Sequence, residues 1–161
     1  MKKLIPILLA AFLIVGCQAQ DREEFDAMYN AFERNQSEIE ADFHDYYEKI
    51  EASDDRETQL RIIYEEMIPA VEDFEATIQN YEVSSEEHKA LKEDMLSYIS
   101  SLHELAGNIG KFNRTFIAAN PFDDEFTKEA DEILETIKSQ EEQVQHDYDK
   151  VLDGYEKLDA E

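Results

Sequence analysis

Apolar side chains recur along this chain every three or four residues, in four blocks separated by short polar interruptions. The first block is Phe25, Met28, Phe32, Ile39, Phe43, Tyr46 and Ile50, with Gln36 in the missing place. Such spacing puts one apolar stripe along one face of an α-helix. Asp21-x-x-Glu24 ahead of it has the form of a capping box and predicts the helix start there. Ser53-Asp54-Asp55 predicts a turn and a new N-cap. With no Gly or Pro at that point, a helix running straight through is the competing expectation.

The second block holds Leu60, Ile63, Tyr64, Met67, Val71, Phe74, Ile78 and Tyr81. Pro69 falls inside it, lacks an N–H and crowds the carbonyl of Glu65, so it predicts a kink or break. The stripe keeps its phase across Pro69, which favours the kink. Ser84-x-x-Glu87 is a second capping box. The third block, Leu91, Met95, Tyr98, Leu102, Leu105, Ile109, Phe112 and Phe116, alternates steps of four and three, the period of knobs-into-holes packing. Gly107 and Gly110 lie off this stripe and mark a bend or a close neighbour. Asn120-Pro121 followed by Asp123, Asp124 and Glu125 has the residue types of a helix start. The fourth block runs through Phe122, Phe126, Ala130, Ile133, Ile137, Val144, Tyr148, Val151, Tyr155 and Leu158, with polar Gln140 on the same stripe.

Four stripes of about 30 residues, each a helix ~45 Å long, with tight turns between them predict an all-α chain. The expected architecture is an up-down-up-down antiparallel four-helix bundle with coiled-coil-like packing. A three-helix bundle with the first pair merged is the alternative. In the four-helix version the residue 17 end, the Val83-Ser84 turn and the C-terminus share one pole. The Ser53 turn and the 117–122 turn share the other.

Composition supports helices and narrows the chemistry. Four Gly and three Pro in 161 residues leave little turn-forming material for a many-stranded fold. Acidic residues number 40 against 15 Lys and Arg, a formal net charge of −25. Phosphate backbones and anionic polymers are repelled by such a surface, so nucleic acid is excluded as a partner and charged partners are expected to be cationic. The residues three before His44, His88, His103 and His146 are Ala41, Ser85, Ser100 and Gln143, so the Glu-x-x-His pairs of di-iron bundles are missing. No stripe position is expected to carry Asp or Glu. Neither a Cys-x-x-Cys-His haem attachment nor a Gly-x-Ser-x-Gly nucleophile motif is present. The expectation is no enzyme, no cofactor and no metal site, with the acid clusters holding only diffuse counterions.

The N-terminus has its own logic. Lys2-Lys3 precede a run from Leu4 to Val15, roughly a dozen residues against the ~20 that a spanning helix needs. A basic start, a short apolar run and a small residue at the cut form a signal peptide. Ile14-Val15-Gly16-Cys17 resembles the lipobox of bacterial lipoproteins, and Cys17 is the chain's only cysteine. That resemblance implies diacylglyceryl transfer to the Cys17 sulfur, cleavage before it and a lipid-anchored chain on the extracytoplasmic face of the cell membrane. Residues 1–16 would be the signal, 17–20 the lipidated end and a short tether of ~3.5 Å per residue, and 21–161 the acidic bundle. Removing Lys2 and Lys3 takes the net charge to −27. With repeated aromatic and acidic segments such as Phe43-His44-Asp45-Tyr46-Tyr47-Glu48, the body also resembles the small helical lipoproteins of low-GC Gram-positive bacteria, including the YkyA-type proteins described as cell-wall-binding. That likeness carries no site residues.

One stretch departs from the acidic background. Between Leu96 and Asn120 the only charges are Glu104, Lys111 and Arg114. Ser97, Ser101, Gly107, Asn108, Gly110 and, beyond the turn, Phe122 are small, neutral or apolar. They are candidates for a contact face toward an envelope protein or a second copy. The competing reading is that the third helix is the most enclosed.

Overall fold

A computed structural model describes residues 5–118 and 124–160, with side chains placed for 20–115 and 127–160. Among the described residues every regular element is helical, and there are four helices. Helix α1 spans Ile5–Ala52. Helix α2 is built of three contiguous pieces, Arg56–Arg61, a π-helical turn Ile62–Met67, and Ile68–Gln79. Helix α3 spans Glu86–Ala118 and α4 spans Asp124–Asp159.

The break after α1 is real, so the merged three-helix alternative is set aside. Asp55 caps α2 by accepting from the N–H groups of Glu57 and Thr58. Gln59 reaches back and donates to the carbonyls of Ile50 and Ser53 at 3.0 and 2.6 Å, satisfying acceptors that the end of α1 leaves open.

Pro69 does not break α2. The irregularity is moved one turn upstream into Ile62–Met67, where Ile68 N–H bonds to Ile63 O, five residues back. Widening the turn there relieves the crowding that the Pro69 ring would impose on a regular helix. Ile62 and Ile63 are buried together, as is Met67.

Helix α3 is indeed the most enclosed. Ile99 and Ala106 are fully buried beside the stripe residues Met95, Tyr98, Leu102 and Leu105. The buried face is therefore wider than the single stripe of alternating four- and three-residue steps expected from the sequence. The cause is that α3 packs on both α2 and α4. Gly110 allows the first of these contacts. A Cβ there would lie 2.7 Å from Tyr64 Oη and 3.2 Å from Ile63 Cγ2, so the π turn seats against bare backbone. Gly107 has nothing within 4 Å of its would-be Cβ, so it marks no close neighbour. Between α3 and α4, Leu91 meets Gly154, Lys150 pairs with Asp94 at 2.6 Å, Ser101 with Asp147 at 2.6 Å, and Asn108 with Gln140 at 3.0 Å.

Asp21 departs most from expectation. It does not open α1, which already runs through it. Together with Asp147 it is one of two buried carboxylates among the described residues, on a position in phase with Phe25, so the stripe does carry acids.

Candidate functional site

The best-built polar feature lies where α1, the 80–85 loop, α3 and the end of α4 meet. Ser85 is the N-cap of α3, accepting from His88 N–H at 3.1 Å, one residue later than the predicted Ser84 box. Asp21 completes the cap from another helix. Its Oδ1 accepts from the Ser84 N–H and from the Ser84 hydroxyl at 2.8 Å, and its Oδ2 accepts from Ser85 N–H at 3.3 Å. The same Oδ2 lies 2.7 Å from His88 Nδ1. The positive end of the α3 dipole thus faces a carboxylate held by α1.

Burial acts to raise the Asp21 carboxyl. The hydrogen bonds from Ser84, His88 and Ser85 outweigh it and hold the group at about 2, below the ordinary 3.8. The His88 ring stacks on Phe25, centroids 4.0 Å apart, and the Arg22 guanidinium lies 5.4 Å from the same phenyl centroid. Arg22 also pairs with Asp159 at 3.2 Å, tying α1 to the end of α4. A cleft of about 460 Å³ opens beside this cluster, lined by Gln20, Asp21, Glu24, Asn80, Glu82 and Ser84.

Above the cluster, aromatic rings join α1 to α4. Tyr29 stacks on Tyr155 with centroids 3.4 Å apart, Phe25 lies 6.0 Å from Tyr155, and Phe32 lies 6.5 Å from Tyr148. Burial raises the phenols of Tyr29 and Tyr148, and the nearby carboxylate of Glu33 raises both further. Burial pushes Tyr98 up to about 12; a hydrogen bond from Gln36 opposes this, while Tyr148 and Glu40 add to it. These phenols stay protonated at neutral pH.

The sequence-derived contact face is divided. Ser101 and Asn108 turn toward α4, Gly110 toward α2, and Ser97 is exposed. Phe122 lies outside the described residues, as does the Asn120-Pro121 start, and the Cys17 side chain is likewise undescribed. Among the described residues no group of three or more His, Cys, Asp or Glu side chains is placed to hold a metal ion. No described helix is long and apolar enough to cross a membrane.

The Asp21 cap escaped sequence reasoning because the helix start it resembled was a nearer explanation. Its phase was the usable signal: Asp21 stands four residues before Phe25, on the buried face. No family model matches the chain, and no curated protein or solved structure matches it either.

Proposed function

We propose that the chain is an exported lipoprotein, acylated on Cys17, whose acidic body is a non-enzymatic binding or scaffolding module on the outer face of the cytoplasmic membrane. The observation that carries this reading is Ile14-Val15-Gly16-Cys17, with its single cysteine, directly behind a short basic-apolar leader. Two acyl chains anchor stably where one is marginal. The body is an up-down-up-down antiparallel bundle with coiled-coil-like packing. Paired positions support this: as numbers rise on α3 from Leu91 to Asn108, their partners on α4 fall from Gly154 to Gln140. Likewise Glu24 on α1 meets Glu82 in the loop that follows α2, and Phe32 meets Phe74 and Lys49 meets Glu66 across α1 and α2. The Asp21 pole is then the one nearest the bilayer.

Metabolic labelling with a radioactive fatty acid tests the anchor. The native chain is expected to take up label and to sediment with membranes. Cys17→Ser is expected to lose both properties, and a labelled, membrane-bound Cys17→Ser chain would refute the proposal. A second reading, capture of cationic ligands such as divalent ions or basic peptides, is favoured by the −27 charge.

A further inference from the structure

The packing of α1 against α4 changes along its length. Near Asp21 the two helices are closed by the Phe25, Tyr29 and Phe32 rings on Tyr155 and Tyr148. Their backbones come together at fewer positions than those of α3 and α4 do. Among the described residues no ring contact joins α1 to α4 beyond Phe32; Ile39 and Phe43 stay buried there, but other apolar side chains along the seam are incompletely covered. Leu134 is 46% exposed and Tyr47 37% exposed, two of the three large apolar side chains most open to solvent among the described residues. Ile137 and Val144 are only half-buried. Leu134, Ile137, Glu141, Val144 and Tyr148 follow one another at steps of three and four, so they share one helical face. Tyr47 stands opposite: burial raises its phenol, and the Glu141 carboxylate raises it further.

The two helices that border this seam are acidic along this stretch. From residue 33 to 51, α1 carries seven acids against Arg34 and Lys49, and Lys49 already pairs with Glu66. From 131 to 149, α4 carries seven acids against Lys138; Asp147 among them turns to Ser101 of α3, while Glu141 lies near Tyr47. Glu33 and Glu40 are close enough to Tyr148 to bear on its phenol.

We propose that the distal half of the α1–α4 seam is a docking groove for a cationic amphipathic helix supplied by a partner protein. The proposal rests on the binding-module reading and specifies its ligand. Two helices side by side offer the groove into which a third packs. An apolar strip on the incoming helix covers Leu134, Ile137, Val144 and Tyr47, while flanking Lys or Arg meet the acidic walls. The stretch from Gln36 to Ile50 is about 22 Å long, or roughly four helical turns of ligand. A second copy of this chain is the wrong occupant, because its net charge of −25 adds like charge to the walls.

The probe is a fluorescent peptide of about 18 residues, with Leu at helical steps of three and four and Lys elsewhere. Its control is a shuffled peptide of the same composition. Anisotropy with the full chain at about 0.15 M salt is expected to give one-to-one binding of the periodic peptide and at least tenfold weaker binding of the shuffled one. Leu134→Asp and Tyr47→Ser each remove an anchor that is largely surface-placed, and each is expected to weaken binding by about tenfold with unchanged circular dichroism. Equal affinity for both peptides, or an unchanged affinity in Leu134→Asp, would reduce the effect to diffuse charge attraction and overturn the groove. Sedimentation showing a dimer that Leu134→Asp dissolves would overturn it in favour of self-association. The fatty-acid labelling of Cys17 is read separately, so failure of the groove and failure of the anchor are distinguishable.

Discussion

Asp21 shows how one carboxylate can organise several helices. It sits inside α1, yet it caps α3 through Ser84 and Ser85 and holds the His88 ring against Phe25. Losing a helix cap costs about 0.5–2 kcal/mol, and Asp21→Asn, which keeps one acceptor oxygen but loses the charge and the second acceptor, should cost within that range. Because the folded-state carboxyl is held at about 2, its contribution is complete above the ordinary carboxylate range near 3.8. That contribution fades as pH falls from there toward 2. Urea unfolding should therefore separate Asp21→Asn from the native chain at pH 7, with the gap closing as the solution approaches pH 2. A gap that stays constant with pH would show that the charge of Asp21 is not what stabilises the cap.

At the scale of elements, the apolar periodicity alone foretold four helices and most of the buried residues. Phe25, Met28, Phe32, Met67, Phe74, Met95 and Val151 were all legible as stripe positions, and all are fully buried. Periodicity could not foretell that Ile99 and Ala106 would join them, because it describes one face and α3 serves two neighbours. Nor could it place the π turn. Pro69 signalled trouble, but where the chain absorbs it depends on Ile63 and Tyr64 finding Gly110 opposite. The candidate contact face failed to hold together for the same reason. Neutral small residues mark a helix that is hemmed in as readily as one that is free. Two glycines three residues apart now carry opposite expectations. Gly107→Ala meets open space and should raise stability by about 0.5–1 kcal/mol through helix propensity. Gly110→Ala should lower it despite the same propensity gain, since its methyl would press on Tyr64. Thermal unfolding of both variants checks this, and adding Tyr64→Ala to Gly110→Ala should recover part of the loss.

For the whole molecule, charge sets the conditions under which the fold is comfortable. Forty acids on 161 residues repel one another across a surface held by scattered ion pairs such as Lys150–Asp94. Screening weakens that repulsion over about 10 Å at 0.1 M salt. The melting temperature is expected to rise as monovalent salt increases from about 0.01 to 0.5 M, by a similar amount with sodium or potassium. A melting temperature that falls instead would mean that the ion pairs outweigh the repulsion.

The meeting of α1, the 80–85 loop, α3 and α4 has a mechanical corollary. Tension applied at the leading end of α1 reaches Asp21 and Arg22 before it reaches the apolar interior. Asp21 hands part of the load to the head of α3, and Arg22 hands part to the tail of α4. Force is thus spread over three rods at their common end, so that the leading helix is not stripped away turn by turn.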